Sequence, residues 1–218
     1  MTTLSVGDIA IIGVHAEASD AGGSNAAIDG VSFVLLRDID SGTVIKFTDS
    51  EWTGSDFDPG EGAIQWTATG NMTAGTVIRI EFNTTLNTQS ATSGTVSQFA
   101  DSSHFTSLGT PGQMAISTAG DQVFAYQGTA GSSPTPITAF TNRPDGFVTT
   151  TSGSDSQLPA TLTEGVNATS FQDVSGAAPD EYDNSYYDGP TSGTLSFLQS
   201  AIHNAANWRG SNDPIAFD

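Results

Sequence analysis

Eight short runs of β-branched and aromatic residues, set apart by glycine, asparagine and aspartate, constrain this chain more than any other feature. They read IAIIGVH (9–15), VSFVLLR (31–37), TVIKFTD (43–49), AIQWTAT (63–69), TVIRIEF (76–82), MAIST (114–118), QVFAYQG (122–128) and ITAFTN (137–142). Each is too short for a stable helix and has the composition of a strand. In TVIRIEF, Val77, Arg79 and Glu81 share one face while Ile78, Ile80 and Phe82 share the other, the period-2 pattern of a half-buried strand. VSFVLLR is almost continuously apolar and reads as a central strand. The connectors DIDSGTV, GNMTAGTV and STAGDQV offer glycine for positive φ and Asp or Asn for local backbone bonds, so they predict hairpin turns. Beyond residue 148 the pattern loosens. Residues 149–190 are rich in Gly, Ser, Pro, Asp and Thr and predict long ordered loops. At about 192–207, Leu195, Leu198, Ile202 and Ala205 fall at helical spacing behind a capping Ser192 or Thr194, which predicts one short helix. No repeat is visible, so residues 1–218 read as a single domain, strand-rich over 1–148.

Charge narrows the partners. Twenty-four acidic residues face only Arg37, Lys46, Arg79, Arg143 and Arg209, a formal charge of −19. Such a surface repels phosphate backbones and anionic lipid, so no nucleic acid is expected as a partner. No apolar run approaches the roughly 18 residues of a spanning helix, and no membrane insertion is expected. Cysteine is absent, which removes disulfides and thiolate metal sites. The start MTTLSVGDIAIIGVHAE lacks a basic n-region and a small-residue cleavage site. That leaves a signal already removed, a C-terminal export signal or a cytoplasmic location open. A single lysine and abundant Thr, Ser and Gly fit an exported bacterial protein.

The densest acidic stretch is DSEWTGSDFDPGEG (49–62), where Asp49, Glu51, Asp56, Asp58 and Glu61 lie between two expected strands. Calcium takes about 6–8 oxygen ligands from carboxylates and carbonyls, and Gly54, Gly60 and Gly62 permit the turns that would gather them. The stretch departs from the EF-hand pattern, whose twelfth position would be Gly60 in place of Glu. A solvated acidic loop is the plain alternative. A second group, DEYDNSYYDG, offers Asp180, Glu181, Asp183, Asn184 and Asp188. Trp52, Tyr182, Tyr186 and Tyr187 stand beside these acids and are candidates for stacking on sugar rings, or for simple core packing. Catalytic signatures are sparse. His15, His104 and His203 are scattered, and neither a G-x-S-x-G elbow nor a phosphate-binding G-x-x-x-x-G-K loop is present.

Taken together, GDIAIIGV, VSFVLLRDIDSGTVIKFTDSEW, GEGAIQWTATGNMTAGTVI, ISTAGDQVFAYQGT and NWRGSNDPIAF resemble a β-sandwich domain that recurs in large secreted or surface proteins of bacteria, often beside calcium-binding repeats. More distantly, the order of IKFTD and STAGDQVFAY is similar to the immunoglobulin-like lamin-tail domain. The resemblance implies an all-β, immunoglobulin-like antiparallel sandwich with long loops and one short C-terminal helix, placed outside the cell and without catalytic residues. The expectation is a calcium-stabilised structural protein at the cell surface or in matrix, assembling with copies of itself into filaments or lattices. The alternative is a secreted, calcium-dependent module that binds surface glycans.

Overall fold

The computed structural model describes residues 1–16, 28–83, 86–106, 112–151, 155–172 and 181–212. In chain order the strands are β1 (Ile9–His15), β2 (Ile28–Leu35), β3 (Val44–Thr48), β4 (Ala63–Thr67), β5 (Val77–Asn83), β6 (Thr88–Ala91), β7 (Thr95–Ser97), β8 (Gln122–Gln127), β9 (Thr135–Thr141), β10 (Ala168–Ser170), β11 (Asn184–Tyr187) and β12 (Trp208–Ser211). One helix, α1 (Leu195–Ile202), and a 3-10 turn at Ala205–Asn207 precede β12. The strands form two six-stranded sheets, β12-β11-β1-β2-β5-β6 (sheet 1) and β10-β9-β8-β3-β4-β7 (sheet 2). The architecture is an all-β sandwich. Among the described residues the strand pairings are antiparallel except β9 with β10, which run parallel.

Sequence periodicity explains the sheets. In β5, Ile78, Ile80 and Phe82 are buried while Val77, Arg79 and Glu81 are not, so the alternation is realised residue for residue. β2 is buried along nearly its whole length and lies inside sheet 1, as its continuous apolar run predicts. Between the sheets Phe33 meets Phe47 at 5.1 Å and the edge of Trp66 at 5.3 Å, geometries that favour aromatic pairs. The outer face of sheet 2 carries a second apolar cluster: Phe124 and Tyr126 of β8 pack under Trp52, Phe57, Phe105 and Leu162. With both faces covered, β8 is buried from Gln122 to Tyr126, which is why QVFAYQ does not alternate.

Three expectations differ from the structure. MAIST is extended, with Met114 and Ile116 buried, but it joins no sheet. Its amides go to side chains instead: Ala115 donates to Asp49 (2.6 Å), Ile116 to Asp29 (2.9 Å) and Ser117 to Asp121 (2.8 Å). The helix is shorter than 192–207. Thr194 caps it by accepting from the Phe197 amide, and Asn204 caps the separate 3-10 turn by accepting from the Ala206 amide. Ala205 is exposed in that turn and takes no part in an apolar helical face. Finally, the loop-rich stretch 149–190 contains β10 and β11.

Candidate functional site

The segment joining β3 to β4 is built to hold acids at two depths. Trp52 and Phe57 bridge across it, and the amides of Thr53 and Asp58 donate to the carbonyls of Asp56 and Glu51. The Trp52 ring meets Phe57 at 5.1 Å, edge to face, and the Trp52 amide donates to the Ser156 hydroxyl at 2.7 Å. This small hairpin is therefore pinned over β8. Thr48 closes its base by donating to the Gly62 carbonyl at 2.6 Å. Gly62 and Gly112 let two backbones touch, since a Cβ on Gly62 would lie 2.4 Å from Gln113 main chain and one on Gly112 would strike the Glu61 carbonyl.

Pinned this way, the five acids divide. Asp49 (1% exposed) and Glu51 (8% exposed) turn inward, and Glu61 is half-buried. Asp56 and Asp58, also half-buried, spend oxygens on turn amides. Asp56 Oδ1 accepts from Phe57 and Gly131, and Asp58 Oδ1 accepts from Gly60. A further acid enters from the start of β8. Asp121 (4% exposed) accepts from the amides of Ser117 and Gln122, and the buried Gln122 amide donates to the Asp49 carbonyl.

These carboxyls are starved of water and of countercharge. Burial, and then the Asp121 carboxylate, raise Asp49 well above the usual range. Glu61 is pushed up to about 10 by burial and next by Asp49 and Asp121. Burial raises Asp121 to about 7 against the pull of its two amide bonds, and burial also raises Glu51. The nearby Arg143 is already committed to Asp155 at 2.9 Å and to the Ala119 carbonyl at 3.0 Å. Four buried oxygens in this region have no hydrogen-bond partner: Asp49 Oδ1, Glu61 Oε2, Gln122 Oε1 and Ser50 Oγ. Buried polar atoms are normally satisfied. The cluster is thus chemically open to a proton or a cation. Among the described residues no three His, Cys, Asp or Glu side chains converge as a metal-holding group, so any ion would draw on two carboxylates and on neutral oxygens.

The second acidic stretch is arranged differently. Asp180 lies outside the described residues. Glu181 and Asp183 are half-buried, while Asp188 is exposed and pairs with Arg209 at 3.3 Å. Asp183 and Asp188 sit at opposite ends of β11, roughly 16 Å apart at strand rise, too far to share one ion with ligands at 2.3–2.6 Å. Of the aromatic candidates, Trp52 is buried in the plug and Tyr182 stacks on Phe171 at 5.3 Å. Tyr187 donates its hydroxyl to the Pro190 carbonyl, and Tyr186 is exposed. The histidines stand apart: His104 contacts the Phe57 carbonyl at 2.8 Å, His203 contacts Thr169, and His15 lies in β1.

Sequence reasoning missed Asp121 and Gln122. Their signal was the polar pair at the mouth of an apolar strand, in STAGDQVFAY, which reads equally well as a turn. An all-β sandwich whose β3–β4 end encloses a buried acidic cluster is what the fold and the site define together. Compared with protein-family models, curated proteins and solved structures, the chain matches none.

Proposed function

We propose that this chain is a non-catalytic extracellular structural protein, stabilised by calcium and assembling with copies of itself at the cell surface or in matrix as a filament or lattice subunit. The observation that carries the reading is the fate of the five basic side chains. Each is paired within the chain: Arg37 with Asp8 (3.0 Å), Lys46 with Asp101 (2.6 Å), Arg79 with Glu81 (3.1 Å), Arg143 with Asp155 (2.9 Å) and Arg209 with Asp188 (3.3 Å). Every cationic side chain thus already has an acidic partner within the chain, which weakens its pull on the carboxylates of a neighbouring copy. Contact between copies then depends on mobile cations to screen or bridge the −19 charge. Uncharged edges supply the contact itself: β6, outermost in sheet 1, exposes Thr88, Gln89 and Ser90 and carries no charged residue. Such an edge lacks the lysine or proline that blocks strand addition.

Sedimentation and electron microscopy of the purified chain, in millimolar calcium and in chelator, test the reading. Ordered polymers in calcium and monomers in chelator are expected. A chain that stays monomeric at high concentration in calcium would sink it. The glycan-binding alternative then has the exposed Tyr186 ring to rest on, and a glycan array run with and without calcium decides it.

A further inference from the structure

We propose that Asp49, Glu61 and Gln122, with the Ser50 hydroxyl beside them, form an internal site for one calcium-like divalent cation at the β3–β4 end of sheet 2. The inference deepens the calcium part of the preceding reading and rests on it, but it moves the ion away from the surface turn. Two independent observations support it. First, Asp49 Oδ1 and Glu61 Oε2 are buried without hydrogen-bond partners at the ends of paired strands, just beyond the Thr48–Ala63 pair, and the nearby Arg143 is committed to Asp155. Second, the Gln122 side-chain amide, 1% exposed, donates an N–H to the Asp49 main-chain carbonyl, and its own oxygen is buried there without a partner. A protonated carboxyl supplies a single O–H donor, enough for one of the other unpartnered oxygens but not for all of them.

The donor chemistry selects the ion. All the free atoms are oxygens, two from carboxylates, one from an amide and one from a hydroxyl, a hard and mixed set with water to complete the shell. Magnesium asks for stricter octahedral geometry and gives up water reluctantly, so calcium fits a partly buried, two-carboxylate site better. Asp121 acts differently. Both of its oxygens are occupied by the amides of Ser117 and Gln122, so it contributes field and holds Gln122 in place.

Calorimetric titration of the full chain with calcium chloride, paired with thermal melts, tests the assignment in wild type, Glu61→Gln and the double variant Asp56→Asn/Asp58→Asn. Wild type and the double variant are expected to bind about one ion with similar affinity, and Glu61→Gln to bind at least tenfold more weakly while its metal-free melting temperature holds. Gln122→Asn, which withdraws the amide by one methylene, gives an independent second reading and is expected to weaken calcium in the same way. Wild-type affinity in both Glu61→Gln and Gln122→Asn, with loss in the double variant, overturns the internal site and leaves calcium dependence standing. No heat and no melting shift in wild type overturns both.

Discussion

Lys46 is the only lysine of the chain, and it is held inside. Its Nζ donates to Asp101 at 2.6 Å and to the Gly128 carbonyl at 2.7 Å, while Asp101 also accepts from the Tyr126 hydroxyl and the Ala130 amide. Both partners are largely buried. Removing one member of such a pair strands the other charge, so Lys46→Met should cost about 3 kcal/mol. Adding Asp101→Asn should recover much of that loss, because asparagine keeps the amide contact and tolerates the positive φ at this position. Denaturant titration of the two singles and the double measures the coupling, and additive losses would contradict it. His203 makes a different prediction. Buried, with Nδ1 at 2.9 Å from the Thr169 hydroxyl, it is pushed down to about 4 by loss of water. Between about 6.5 and 4 the unfolded chain binds a proton that the folded chain refuses. Stability contributed by neutral His203 is therefore full above 6.5 and falls, by up to about 3 kcal/mol, as the pH drops through that window. Buried His15, lowered to about 3, acts in the same direction. Melts of His203→Gln across this range should show a shallower acid limb than wild type.

Among the elements, the segment over Met114–Ser117 shows how a strand-like sequence can be satisfied without a sheet. Its amides end on Asp49, Asp29 and Asp121, three acids drawn from both sheets and their connections. Hydrogen exchange should accordingly find the amide of Ile116 protected although no ladder contains it. Rapid exchange there, at the rate of the exposed loops, would refute the arrangement. The same segment marks the limit of what sequence could tell. β1 to β5, β8 and β9 were legible because their own side chains carry the period or the continuous apolar run. β6, β7, β10, β11 and β12 were not, since TQSA, TVS, ATS, NSYY and WRGS become strands only through neighbours brought close by folding, such as Trp208 against Tyr187 and Ala168 against Ala139. Likewise, the acids of 49–62 were visible in the sequence. The division into Asp49 and Glu61, which keep a buried oxygen without a partner, and Asp56 and Asp58, which spend theirs on turn amides, was not, because it depends on Trp52 being pinned to Ser156 and on Gly62 lying against Gln113.

At the scale of the whole molecule the layers are unequal. Sheet 2 is covered on both faces, with loops laid over Phe124 and Tyr126. Over sheet 1 an apolar trough of about 380 Å³ runs between α1 and the strands, lined by Ile12, Val34, Val77, Leu195 and Leu198. Phe197 and Leu195 are half-exposed near it. The order of strands in sheet 1 also has a kinetic side. β1 lies between β2, its neighbour in sequence, and β11, which the chain reaches only at residues 184–187. One side of the ladder around β1 must therefore wait for nearly the entire chain to be made and collapsed, a high-contact-order closure that places folding in the millisecond-to-second range or slower. Stopped-flow refolding followed by tryptophan fluorescence should show the Trp208 signal arriving late, together with global stability. Until β11 docks, Gly13 to His15 form a bare ribbon open to any passing chain, so a nascent or truncated molecule is most prone to misassembly at a strand that ends up in the middle of the finished sheet.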